Sequence, residues 1–222
     1  MRSRIHILGA SGSGTSTLGD ALANVLPHTY LDTDEYFWTT KFTEPRPVPE
    51  RREMLKEELL QSERWILSGS LAGWGDCFMP YFDLVIFLWI PPDVRLARLQ
   101  QRELERYGTE ALAGGSLYEE SQAFLKWAAL YDHAGTEVRS KTLHNQWLAE
   151  LSCPILRIEG DYSTEERIAM VLNFLKEDFS HNKRAPSTML EALYYASAGY
   201  RTSMRCRISV MTSASVSISS NE

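Results

Sequence analysis

The residues with the clearest chemistry are Gly9, Ala10, Ser11, Gly12, Ser13, Gly14, Thr15, Ser16 and Thr17. Gly9 and Gly14 bracket four residues, the spacing of the phosphate-binding pattern G-x-x-x-x-G-K-[ST]. Glycines let such a turn fold tightly, so that successive backbone N–H groups point inward and form an anion nest. Ser16 stands at the hydroxyl position of the pattern, where it would hold a Mg²⁺. Thr15 stands where the pattern has lysine, the group that neutralises the β- and γ-phosphates during transfer. Threonine donates a hydrogen bond but brings no charge. Backbone phosphate binding is therefore expected, and the charge for phosphoryl transfer has to come from elsewhere.

Two further groups of residues suit that chemistry. Asp32 and Asp34 follow a short apolar stretch, Tyr30-Leu31, and either can serve a metal or a reacting hydroxyl, while Asp34 also suits a helix N-cap. Arg95, Arg98, Arg102 and Arg106 recur every three to four residues, which puts them along one helix face. With Glu103 and Glu105 interleaved, that face reads either as a cationic site wall or as a solvated, salt-bridged surface. Arg51 and Arg52 near the start of another helix present the same pair of readings. His133 and His144 are too isolated for a metal site.

The elements that must position these groups alternate. The apolar run Ile5-His6-Ile7-Leu8 reads as a strand feeding the glycine turn, and Leu18, Ala21, Leu22, Val25 and Leu26 as the helix behind it. The helix adds its positive N-terminal end to the nest. Further strands are expected at His28–Asp32, Trp65–Ser68, Leu84–Ile90 and Pro154–Ile158, the fourth apolar throughout as in a strand covered on both faces. Helices are expected over Glu50–Ser62, Pro92–Tyr107, Leu117–Tyr131, Glu137–Leu151 and Ser163–Phe179. Pro45-Arg46-Pro47-Val48-Pro49, Ser70–Asp76 and Gly108–Ser116 read as loops. Alternation of this kind gives a parallel sheet wrapped by helices.

The 222 residues divide into a domain over 1–180 and a tail over 181–222. The serine-rich end, with no apolar stripe, is expected to be disordered or loosely packed. The net charge of −6 argues against a general nucleic-acid binder. No apolar run is long enough for a membrane span, and Arg2 and Arg4 lack the apolar core of a secretory signal. Cys77, Cys153 and Cys206 form no metal-spaced pair and suit free thiols in a reducing cytoplasm. No nucleic-acid or membrane partner is expected.

Gly9–Ser16 with Asp32-Thr33-Asp34 resembles the P-loop small-molecule kinases, the adenylate, shikimate and gluconate kinase group, over about residues 4–179. The resemblance implies a three-layer α/β fold with a five-stranded parallel sheet in the order 2-3-1-4-5. It also implies a substrate-capping region after the second strand and a mobile lid after the fourth. It further implies ATP and Mg²⁺ as cofactors and a small-molecule acceptor: a nucleotide, nucleoside or hydroxylated metabolite. By position, Asp32 would order the metal and Asp34 would take the acceptor's proton. An arginine such as Arg98 or Arg102 would supply the charge that Thr15 does not. Ser68-Gly69-Ser70 falls where such kinases have a glycine-rich substrate loop, without reproducing the glycine run. The fourth strand lacks a terminal Asp. A second function, binding nucleotide as a sensor or partner-binding module without transfer, fits the same loop.

Overall fold

The computed structural model describes residues 2–40 and 43–181. The tail expected from residue 181 lies outside the described residues from 182 on. Among the described residues seven strands form: β1 (Arg4–Gly9), β2 (Thr29–Asp32), β3 (Trp38–Thr40), β4 (Glu44–Pro45), β5 (Trp65–Ser68), β6 (Leu84–Trp89) and β7 (Ile155–Glu159). The helices are α1 (Thr15–Ala23), α2 (Thr33–Phe37), α3 (Val48–Gln61), α4 (Pro92–Tyr107), α5 (Tyr118–Ala129), α6 (Lys141–Ala149) and α7 (Thr164–His181).

Five strands make one parallel sheet in the order β2-β5-β1-β6-β7. Counting only these strands in chain order, that is 2-3-1-4-5, the order that the resemblance implies. Alternation along the strands divides the core into two layers. Trp65 and Leu67 of β5 and Val85 and Phe87 of β6 face Leu55 and Leu59 of α3, Phe78, and Trp147 and Leu148 of α6. Ile5, Ile7, Ile66, Leu84, Ile86 and Leu88 face Leu18 and Leu22 of α1 and Val171 and Leu175 of α7. β6 is therefore apolar on both faces, which is why it has no polar alternation.

Two stretches differ from expectation. The proline-punctuated segment after α2 holds a small antiparallel pair, β3 with β4, pinned by Arg46, whose guanidinium donates to the carbonyls of Tyr36 and Trp38. The sixth helix begins at Lys141 rather than Glu137. Ser140 takes the N-cap, its Oγ accepting from the Leu143 N–H at 3.0 Å, and leaves Glu137 in the preceding bend.

In the sheet register Asp32 lies beside Ser68, Ile7 beside Ser68, and Gly9 beside Leu88. The glycine turn, both aspartates and the small-residue loop after β5 thus share the C-terminal edge, where open parallel sheets receive ligands.

Candidate functional site

The phosphate turn is built by its glycines. Gly12 and Gly14 have φ of 82° and 90°, a left-handed backbone that side chains resist. A Cβ on Gly9 would lie 2.5 Å from Ser13 Oγ and 2.6 Å from the Leu88 carbonyl, so the turn can close only without a side chain there. Ser13 N–H donates to the Ala10 carbonyl at 3.0 Å across the bend. Gly14 is the N-cap of α1 and offers no capping side chain. The first N–H groups of the helix are left for an external acceptor.

Ser16 and Asp32, which the sequence assigns to the metal, meet. Ser16 Oγ donates to Asp32 Oδ2 at 2.8 Å. Asp32 also caps α2, its Oδ1 accepting from the Asp34 N–H at 3.0 Å, so it takes the capping role expected for Asp34. Tyr30 OH donates to Asp32 Oδ2 and meets Ser68 Oγ at 2.8 Å. Burial, with Asp32 adding to it, pushes that phenol up to about 12 and keeps it a donor. Among the described residues no cluster of three or more His, Cys, Asp or Glu is placed to hold a metal ion. A phosphate-borne Mg²⁺ keeps several waters and takes one or two protein oxygens, so the Ser16–Asp32 pair fits it.

A hollow of about 430 Å³ opens above the turn. Its floor is Gly12 and Gly14 to Leu18; α4 contributes Arg98, Leu99 and Arg102; the turn into α7 contributes Tyr162, Ser163, Thr164 and Arg167. A second, open hollow of about 610 Å³ shares Arg98 and Arg102, but all its lining residues belong to α4, so no opposing wall encloses a ligand.

The four arginines of α4 divide. Arg95 is buried, donating to the Ala128 carbonyl and to Asp132 Oδ2, both at 2.9 Å. Trp89 Nε1 donates to the other oxygen of Asp132 at 2.7 Å. Arg95 therefore ties α4 to the end of α5 and does not line the hollow. Arg98 lies in the hollow's wall, paired with Asp161 at 2.6 Å. Arg102 lies one turn on, half-buried, its Nε without a partner among the described residues and its guanidinium 5.9 Å from the Phe124 ring. Burial, then Arg106, lowers its pKa, while Glu103 and Asp34 pull the other way. Arg106 is exposed beside Tyr107.

Arg51 is buried and not open to an anion, whereas Arg52 is exposed. Arg51 lies 3.8 Å above the Phe37 ring and donates to the Arg46 carbonyl; Arg52 donates to the Trp74 carbonyl. His144 is fully buried against Tyr131 OH at 2.9 Å, and His133 is exposed, as packing and surface roles require.

Two arginines escaped the sequence reading. Arg139 is half-buried at 5.5 Å from the Trp127 ring, and Asp34 offsets the lowering of its pKa by burial. Arg167, in the first turn of α7, donates to the Ser13 carbonyl at 2.8 Å. The available signal for Arg167 was its place: a cation at the positive end of a helix is disfavoured unless something else holds it.

No family model matches the chain. Over 178 residues, 80% of the chain, it is 60% identical to the uncharacterized protein YqaC of Bacillus subtilis (strain 168), and covers 100% of that protein. Among solved structures it is similar to shikimate kinase from Acinetobacter baumannii in complex with shikimate, with a TM-score of 0.49 and 17% identity over 79% of this chain and 94% of that one. It is similar to shikimate kinase from Bacteroides thetaiotaomicron, with a TM-score of 0.48 and 22% identity over 79% and 99%. It is also similar to a gluconokinase from Sinorhizobium meliloti 1021, with a TM-score of 0.45 and 20% identity over 82% and 98%. The sheet order and the strand–turn–helix of the chain itself are those of a P-loop kinase-like fold.

Proposed function

The chain belongs to the family of the Bacillus subtilis protein YqaC, and we propose that it is a P-loop kinase that takes ATP with Mg²⁺ and passes the γ-phosphoryl group to a hydroxyl of a small molecule. The observation that carries this reading is the convergence of cationic and backbone donors on one hollow: the open N–H groups of α1, Arg98, Arg102 and Arg167.

In this reading the backbone of Gly9–Thr17 cradles the phosphates, and Ser16 and Asp32 hold the metal. The metal, when bound, neutralises charge on the phosphate oxygens. Asp34, exposed at the start of α2, accepts the proton of the acceptor hydroxyl. That oxygen forms its bond to the γ-phosphorus as the bond to the bridging oxygen breaks, and ADP carries the electron pair away. Arg102 stabilises the charge spread over the equatorial oxygens. Arg139, within the field of Asp34 and against Trp127, suits an acceptor with an anionic group beside its hydroxyl.

The decisive experiment is incubation with ATP–Mg²⁺ and a panel of nucleotides, nucleosides and hydroxylated acids, read by mass spectrometry. A phosphorylated product whose formation falls about a hundredfold in Asp34→Asn supports the reading. Thr15 favours a second one, a module that binds nucleotide without transferring phosphate. Nucleotide binding with no product from any acceptor would select it.

A further inference from the structure

Arg167 is oddly placed for a surface cation. It is the fourth residue of α7, at the end of the helix whose dipole repels positive charge. Glu165 and Glu166 precede it, yet neither pairs with it. Only 4% of the residue is exposed. Nη1 is satisfied by the Ser13 carbonyl, but Nε and Nη2 are buried and have no hydrogen-bond partner among the described residues. Asp161, the carboxylate whose field offsets the burial of Arg167, already accepts from Arg98 at 2.6 Å. A buried guanidinium with two idle donors and no carboxylate of its own is an anion site waiting for its anion.

Its position says which anion. Arg167 lines the hollow over the phosphate turn. A Cβ added to Gly14 would come within 3.0 Å of its Nη1, so the guanidinium stands directly against the residue before Thr15. The turn contributes no cation of its own, because Thr15 is uncharged.

We propose that Arg167 is the resident cation of the phosphate site, brought from α7 to stand in for the charge that Thr15 lacks, and that the group it meets is the phosphate chain of a nucleotide or another polyphosphate. The Ser13 hydrogen bond holds the guanidinium against the turn, where its uncompensated charge attracts phosphate oxygens, and Nε and Nη2 are the donors still to be satisfied. Being buried, the charge is little screened by salt or water. Arg98 stands across the hollow and repels it, a conflict that a bound anion relieves. The assignment of nucleotide as the natural ligand rests on the kinase reading; the anion site itself does not.

The test therefore uses inorganic tripolyphosphate alongside ADP, by titration calorimetry. Arg167→Gln keeps a donor for Ser13 and removes the charge. It is expected to weaken both ligands by about tenfold or more, whereas Arg167→Lys stays within about threefold. The melting temperature of the free protein is expected to hold or rise in Arg167→Gln, since an unpaired buried charge is lost; a strut for the turn would make it fall. Thr15→Lys in the Arg167→Gln background is expected to restore most of the affinity. In the wild-type background Thr15→Lys is expected to gain nothing, and this variant serves should Arg167→Gln fail to fold. Tripolyphosphate binding by Arg167→Gln within about twofold of wild type overturns the proposal, as does a gain of about tenfold from Thr15→Lys alone. Loss of binding in Arg167→Gln together with a wild type that phosphorylates nothing leaves the anion site standing and overturns only the kinase reading. A wild type that binds neither ligand overturns both.

Discussion

Ser16 Oγ donates to Asp32 Oδ2 at 2.8 Å, joining the first turn of α1 to the end of β2. The bond fixes the distance between the phosphate turn and the carboxylate before any ligand arrives. Tyr30 OH and the Asp34 N–H hold the same carboxylate from other sides.

If this pair holds the metal, Asp32→Asn should separate metal binding from phosphate binding. Asparagine keeps an oxygen to cap α2, so the fold should survive. Affinity for ADP in the presence of Mg²⁺ should fall by about tenfold or more, while affinity in EDTA stays unchanged. Calorimetry with and without Mg²⁺ measures both. Equal Mg²⁺ enhancement in wild type and variant would remove Asp32 from the metal site.

Arg95 and Asp132 form a pair of a different kind. Both side chains are largely buried, 1% and 10% exposed, and Asp132 also accepts from Trp89. Removing one partner of such a pair leaves an uncompensated buried charge, costing about 3–5 kcal/mol. Arg95→Met should therefore lower the melting temperature by about 10 °C. Arg98→Ala, which breaks a half-exposed pair with Asp161, should shift it by no more than about 4 °C, because such pairs contribute about 0–1 kcal/mol. A similar shift in both variants would contradict the division of the helix into a packing arginine and a site arginine.

That division shows what a sequence can and cannot carry. Both residues belong to one evenly spaced arginine series, and periodicity alone cannot tell which member meets Asp132, a partner 37 residues on. The strands were legible because burial on both faces leaves continuous apolar runs, as in Leu84–Trp89. The phosphate turn was legible because its glycine spacing is local. Asp32 and Asp34 were legible as a pair, but their capping roles depend on backbone angles that a two-residue spacing leaves open. The β3–β4 pair was hidden because two- and three-residue strands among prolines carry no alternation. Arg167 was hidden because its contact with Ser13 spans 154 residues, while its neighbours Glu165 and Glu166 make it look like part of a solvated helix start.

Two buried histidines set an acid limit. His6 stacks on Phe82 with its ring 4.9 Å away and is lowered to about 4, by burial first and against a hydrogen bond with the Leu67 carbonyl. His144 is lowered to about 3, by burial first, then Arg139 and His6. Each folded pKa lies below the unfolded value of 6.5, so below pH 6.5 the unfolded chain binds more protons. Their stability contribution is complete above pH 6.5. It is lost as the pH falls towards about 4 for His6 and about 3 for His144, with a slope of up to about 1.4 kcal/mol per pH unit for each. Urea titrations from pH 7 to 4 should show this slope, and His144→Gln should flatten it. An unchanged slope would mean that His144 titrates normally.

Arg98 and Arg102 lie on adjacent turns of α4 and face the same hollow, yet their surroundings assign them different work. Arg98 is anchored to Asp161, in the turn that brings Tyr162 to the hollow. Arg102 has an idle buried Nε and feels the field of Asp34, the residue proposed to take the acceptor's proton. In the kinase reading proposed above, a cation on that side would meet the phosphoryl group while charge develops and gain strength in the transition state. Arg102→Ala should lower kcat by about 10²–10³-fold with nucleotide affinity changed only a few-fold. Arg98→Ala should do the reverse, raising KM for ATP by about tenfold with kcat nearly intact. Steady-state kinetics with the acceptor found by the panel measures both. Equal losses in kcat would make the two arginines one clamp, and a loss confined to Arg98→Ala would move the transition-state role to the anchored residue.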